Sequence, residues 1–530
     1  MKKKNLVKVF NVITIFGLLV FNNESKAQWN NNAPSGFIIG YNNSPTTFTT
    51  PSIILGNSNT GTNSNYKNNT VVGFSNNING TAKNVSLVGI KNTTTGDYSY
   101  IFGKYNTAHG NSSLLLGYSN LDNGSKHSLI FGRENTVQTA SQWSLVVGRN
   151  NSIAGNDDGM IGNKNTLNAT KSFISGNDNT VTSNFSFAFG LNNQILGSAY
   201  SNAVGSTNYI TSDHANAFGY NNHLYGSNGN CFGYGNTISA SAYAAIAFGY
   251  GNTASGNNSV AFGKINKAVG EEGAAIGYQN EANGYLSASL GGGNTTSSSY
   301  SSAVGVRNTA TGENSSAVGY NNNAPSSWSS AFGYRNYAEG EYSTSMGIQN
   351  ATTSSKSVGL GYYNYVTGTS SIGVGVSNSV SGNNSIAIGI DLNNTVSNSV
   401  KIGISDEGSI TILSDGSVGI GTTTTNNYAL AVNGTIGTKK VKVTQTGWAD
   451  YVFDKSYILP SLQSVEKYIT QNKHLPDVPS AAAIAKDGLD LGDNQAVLLK
   501  KIEELTLYMI ELQKKNDRLE KIVEELINKK

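Results

Sequence analysis

A glycine preceded by a large apolar residue returns along most of this chain at a nearly fixed interval. Such anchors fall at 26 positions, from Gly40 to Gly403, and only Ser175 breaks the apolar rule for the residue before. From Gly249 to Gly403 all eleven intervals are 14 residues, while earlier ones run from 14 to 17. A period this short excludes an ordinary globular core, because each unit can contact only its neighbours. The unit is plainest in Ser259-Val260-Ala261-Phe262-Gly263-Lys264-Ile265-Asn266-Lys267-Ala268-Val269-Gly270 and recurs at Ser301 to Gly312 and Ser329 to Gly340. Its first part alternates small and large residues, the period of two that marks a strand. Ser259, Ala261 and Gly263 form a small face, expected to line a flattened coil interior. Val260 and Phe262 form a bulky face, expected to meet neighbouring chains.

Two further positions are in phase. Asn stands three residues after every anchor from Gly40 to Gly375, including Asn43, Asn106, Asn266 and Asn308. Asn tolerates left-handed backbone and bonds its own turn, and in a stack it can form side-chain ladders. A second glycine seven residues after the anchor, as at Gly110, Gly256 and Gly340, marks another corner. Two corners in 14 residues predict two short strands per coil. No proline interrupts the array between Ser52 and Ala324, as a continuous ladder requires. At about 4.8 Å per coil the stack would extend about 120 Å.

The S-x-A-x-G-x-x-N-x-A-x-G pattern resembles the head repeat of trimeric autotransporter adhesins, the YadA-like head, over roughly residues 36–403. The resemblance implies a left-handed parallel β-roll with three chains side by side. It also implies adhesion as the function, without catalysis. That family ends in a membrane-embedded β-barrel, which this sequence does not show after the repeats. Physics favours association as well, since about one large side chain per coil is a thin core for an isolated roll. Burial of Phe262, Ile276, Val304 and Phe332 between chains would contribute about 1.5–3 kcal/mol each.

The termini set the compartment and the assembly. Lys2, Lys3, Lys4 and Lys8 precede an apolar stretch from Val9 to Phe21, and Ser25-Lys26-Ala27 completes a signal peptide, residues 1–27. Removing it changes the formal charge from +3 to −1, which gives no reason to expect nucleic acid or an anionic membrane as partner. No transmembrane segment is expected in the mature chain, which is read as extracellular or at the cell surface. The repeat head occupies 28–403, a β neck 404–446, a small mixed segment 447–496 and a coiled-coil helix 497–530. In the helix, Leu498, Ile502, Leu505, Met509, Leu512, Asn516, Leu519, Val523 and Leu526 alternate at spacings of four and three. Fifteen of its 33 residues from Leu498 are charged, so its flanks face water while Ile502, Leu505, Leu512 and Leu519 are read as an oligomer seam. Residues 409–515 resemble the C-terminal intramolecular-chaperone module of phage tail fibres, related to peptidase S74. The corresponding stretch, Lys440 to Thr446, has no Ser-Asp pair, so self-cleavage is not expected.

No catalytic, metal or cofactor site stands out. His109, His127, His214, His223 and His474 lack ligand spacing. Cys231, the only cysteine, takes a small-face position where other coils have Ala, and reads as a packed thiol. Gly155-Asn156-Asp157-Asp158 and Gly176-Asn177-Asp178 are isolated and read as turns rather than calcium loops. Tyr often follows the anchor, and Tyr250, Tyr278, Tyr320 and Tyr334 are read as a candidate stripe for a glycan, protein or surface ligand. The sequence thus points to a homotrimeric adhesive fibre, with a ligand-free shaft as the alternative.

Overall fold

The computed structural model describes residues 36–44, 52–61, 68–139, 141–444 and 448–529; the signal-peptide reading of 1–27 lies outside them. The chain is mostly β and divides into two compact units, Met1–Asn433 and Gly434–Lys530.

The first unit is a parallel β-solenoid whose coil is the 14-residue repeat. Each coil contributes one long strand and one short strand, as in Val260–Lys264 and Lys267–Ala268. Long strands pair in register with those of adjacent coils, Val260 opposite Ala274 and Gly263 opposite Gly277. Short strands pair separately, Lys267 opposite Glu281. Longer early intervals are absorbed between a short strand and the next long one, as from Thr237–Ile238 to Ile246–Tyr250.

The anchor glycine is set by this stacking. Gly263 adopts φ +115°, and a Cβ there would lie 2.1 Å from the Gly277 carbonyl oxygen of the next coil. No other residue fits such a close backbone approach.

The small face is the interior. Ser259, Ala261, Asn266 and Ala268 are fully buried. Alternation therefore puts Val260, Phe262 and Lys264 on the outside of the long-strand sheet. The interior narrows along the roll, because the residues two before and five after each anchor change together. Ile130 with Val137, Met160 with Leu167 and Ile174 with Val181 are large pairs, all buried. Ala188 with Ile195, Ala203 with Ile210, Ala217 with Leu224 and Cys231 with Ile238 follow. Ala247 with Ala254, and most pairs through Ala331 with Ala338, are both small. Gly373 and Val380 then reverse the asymmetry, a Cβ on Gly373 coming 3.5 Å from Val380 Cγ2. Cys231 sits within this series, and burial pushes its thiol well above the usual range, which makes it an inert packed group.

The Asn ladder is present, but its backbone role differs from expectation. Asn266 Nδ2 donates to Asn252 Oδ1 at 3.0 Å and to the Gly277 carbonyl at 2.8 Å. Its backbone N–H donates to the same Asn252 Oδ1 at 3.0 Å. The row runs from Asn43 to Asn378, where Leu392 N–H takes the last carbonyl at 3.1 Å. These Asn residues are not left-handed. The left-handed residue is the one before, Ile265 at φ 57°, Gln279 at 54° and Arg307 at 56°. A second lies five before each anchor, as at Asn258 and Glu272, so that from Asn258 to Asn398 every seventh residue has positive φ. The expected corners are real, displaced by one residue from Asn and by two from the second glycine.

The roll is closed at its end by a charged plug. Lys401 takes the interior position two before Gly403, and its Nζ donates to the Asn393 carbonyl at 3.0 Å and to Asp406 Oδ1 at 2.7 Å. Pairing then turns antiparallel, Val400–Gly403 with Ile410–Ile412 and the latter with Val418–Ile420, so the last parallel coil does not present a free edge.

The second unit holds a 3₁₀ turn, Ala449–Phe453, and helices Leu462–Asn472, Ala481–Asp487 and Leu491–Ile527. The long helix begins six residues before the expected 497, because Asp490 caps it through the Asp493 N–H at 2.9 Å.

Candidate binding surfaces

On the outside of the long strands, three side chains per coil point away from the interior: those three and one before the anchor and the one after it. Stacked coils bring like residues together. Phe218 and Phe232 lie 5.0 Å apart with rings 3° from parallel, and Phe248 and Phe262 4.8 Å apart at 9°. Phe262 remains 46% exposed. Ile276, Val304 and Phe332 continue the same row, partly covered by their neighbours. The result is an apolar strip running the length of the roll.

Tyr250, Tyr278, Tyr320 and Tyr334 are exposed on this same face, two residues further along their strands. They form two groups rather than one row. Tyr220, Tyr234 and Tyr250 stack, the last pair at 4.9 Å. Lys264 then lies between Tyr250 and Tyr278, its Nζ 5.6 and 5.7 Å from their ring centres, within cation–π range. Tyr320 and Tyr334 stack at 5.3 Å, separated from the first group by Gly292 and Val306. The proposed ligand stripe thus borders the proposed chain interface directly.

Ile502, Leu505, Leu512 and Leu519 are all more than half exposed on the long helix. Ile502 and Leu505, with Pro460, Leu462, Leu475 and Tyr508, also line an apolar groove. Beside it a polar cluster holds the helix within its unit. Lys500 and Lys501 donate to Asp477 Oδ2 at 2.9 and 3.1 Å and hold its carboxyl below the usual range. Burial, then the bond to Glu504, pushes the Tyr457 phenol up.

The histidines fall apart as their spacing implied. His127 stacks on Trp143 at 4.2 Å and His214 on Tyr200 at 4.9 Å. His109 Nδ1 lies 3.0 Å from Thr95 Oγ1, and His474 Nδ1 lies 3.0 Å from the Leu475 carbonyl. Among the described residues no group of three or more His, Cys, Asp or Glu side chains is placed to hold a metal ion, and no helix is long and apolar enough to cross a membrane. Asp157 and Asp178 occupy left-handed corners, at φ 55° and 57°, which is the turn role expected of them. Asp158 differs: it is buried where most coils have Ser, its Oδ1 accepts the Ser172 N–H at 2.9 Å, and its Oδ2 lacks a partner.

One concave patch was not foreseen. It lies on the short-strand side, where Gln194, Tyr209 and His223 replace the threonine common at that repeat position. The replacement is visible in the sequence, but only after coils are aligned four residues beyond each anchor.

The YadA head domain repeat (2 copies) is the family that matches this chain, at residues 240–264, 297–322, 329–350 and 367–390. The roll is YadA-head-like. Each matched stretch lies within the regularly spaced coils, where Ala pairs and the Asn ladder are most uniform. No curated protein matches the chain.

Proposed function

We propose that the protein is an exported, non-enzymatic fibre that assembles as a homotrimer and acts in adhesion to a glycan, a protein or another surface. The carrying observation is the apolar strip on the long-strand face, from Val72 through Phe131, Phe262 and Phe332 to Ile402. Soluble monomers rarely expose contiguous apolar surface on that scale. A strip of one width along a straight stack suits identical partners laid side by side in the same register. The likeness to YadA head repeats supports three chains and an adhesive role. The exposed heptad seam at Ile502, Leu505, Leu512 and Leu519 supports a second point of association. A chaperone-like role for residues 409–515, assisting trimer formation, fits the same reading.

The test is the mass of chain 28–530 by light scattering, beside the same chain ended before Leu498. Trimers in both cases are expected, since the head carries its own interface. A trimer that becomes a monomer on truncation would assign assembly to the helix. A monomer in both would overturn the proposal.

A further inference from the structure

We propose that the short-strand face carries a binding site for a neutral saccharide, built by Tyr209, His223 and Tyr225 with the amides and hydroxyl around them. This names a ligand class for the adhesive role proposed above, and it does not require the trimer. Four residues beyond the anchor the repeat favours threonine: Thr107, Thr136, Thr166, Thr180, Thr237 and Thr253 all occupy that position. Gln194, Tyr209 and His223 depart from it in three consecutive coils. Packing does not explain the change, because the interior neighbours Ile195, Ile210 and Leu224 stay buried as in adjacent coils. The departure concerns the outward side chains alone.

Those side chains make a hollow of about 400 Å³, lined among others by Gln194, Thr207, Tyr209, Asn221, His223 and Tyr225. The rings of Tyr209 and Tyr225 are 5.9 Å apart and inclined at 59°, which opens a wedge. His223 sits beside both, 6.1 Å from Tyr209 and 6.3 Å from Tyr225. Its ring is held in place, Nε2 lying 3.3 Å from Asn221 Oδ1 and Nδ1 3.4 Å from the Tyr225 hydroxyl. Aromatic faces offer broad apolar contact with little side-chain freedom to lose. They suit the C–H faces of a pyranose ring, while amides and a threonine hydroxyl suit its hydroxyl groups.

The lining contains no Asp, Glu, Lys or Arg, so an anionic or cationic ligand would have no counter-charge there. A peptide is a poorer fit, because the short strands are paired on both sides and leave no free edge for β-addition. The face is opposite the apolar strip, so assembly through that strip leaves the hollow open.

The experiment is saturation-transfer NMR on the intact 28–530 chain with lactose, maltose and N-acetylglucosamine, and sialic acid as anionic comparison. Tyr209→Thr with His223→Thr restores the residue used by neighbouring coils, so folding is preserved, and thermal melting checks this. Transfer to at least one neutral sugar is expected, with affinity about tenfold or more weaker in the double variant, equivalent to about 1.4 kcal/mol. Transfer to none of the neutral sugars, transfer to sialic acid alone, or full retention by the double variant would each overturn the site. Surface attachment is measured in parallel. Attachment that survives loss of sugar binding places adhesion elsewhere, whereas sugar binding by a chain that attaches to nothing removes the adhesive role and leaves the site standing.

Discussion

At the level of single residues, the roll is held by backbone that would be unfavourable anywhere else. Ile265 is β-branched and left-handed, a conformation costing such residues about 1–2 kcal/mol. It persists because its N–H donates to the Tyr250 carbonyl of the preceding coil at 2.8 Å, a bond that stacking supplies and local sequence does not. This is why the corner was misplaced on Asn266: both left-handed backbone and ladder formation suit Asn, and only contact between coils separates them. Asp158 shows the opposite case, a residue that departs from the repeat at a cost. Burial, against the Ser172 N–H, pushes its carboxyl up from 3.8 to about 7. The folded state therefore binds a proton that the unfolded chain releases above the ordinary value. Stability from this group is fully present below about pH 4, falls as pH rises through 7, and is lost above. The fall is expected to be about 1–3 kcal/mol, typical of a poorly partnered buried polar group. Thermal melts from pH 4 to 8 should show it in the natural chain and not in Asp158→Ser, which carries the residue used at Ser144 and Ser172. Parallel profiles for the two chains would remove Asp158 as the cause.

Between coils, the unit of packing is a pair of interior residues seven apart in sequence, one on each strand of the coil. The anchor glycines and the small-face parity were legible because they repeat at 14 residues. The pairing was not, because its members vary together while the period stays the same. Two coils carry hydroxyls at both members: Ser289 and Thr296 have oxygens 3.1 Å apart, and so have Ser345 and Thr352. In each pair the serine also donates to a backbone carbonyl, Glu281 at 2.7 Å and Tyr337 at 2.8 Å. The neighbours of the first pair are Ala275 with Ala282 and Ala303 with Ala310, all fully buried. Removing one hydroxyl strands the other in an apolar slot, while removing both reproduces the adjacent coils. Ser289→Ala and Thr296→Ala are each expected to cost about 1–2 kcal/mol, and the double variant about 1 kcal/mol less than their sum. A denaturant-unfolding cycle measures the coupling, and a value of zero would mean the hydroxyls act independently. The saccharide hollow was hidden for a related reason, since Tyr209, His223 and Tyr225 become neighbours only when coils are stacked in register.

Over the whole molecule, the alternation that buries Ala261 also exposes Phe262, so the same pattern that makes the coil leaves a strip uncovered. Polar outer faces would have given a soluble single-chain solenoid; this chain places Phe, Ile, Val and Leu there almost without exception, and Tyr beside them. The tyrosine groups can bind an external ligand only if the strip itself is covered, since an uncovered strip would attract any apolar surface. In the trimer, Tyr250 and Tyr334 would stand at the rim of the interface, where partial exposure and cation–π partners such as Lys264 are compatible with either role. Phe262→Asp with Val304→Asp places two carboxylates in the strip, three coils apart, without touching interior positions. Carboxylates buried between chains without partners are costly, about 3–5 kcal/mol each by comparison with broken buried pairs. Sedimentation at micromolar concentration should show a shift from trimer toward monomer, while circular dichroism keeps the β signature of the coils. A variant that remains fully trimeric with unchanged melting would mean that this face lies outside the interface. The apolar strip, and not only the tyrosines, would then be free to act as the adhesive surface.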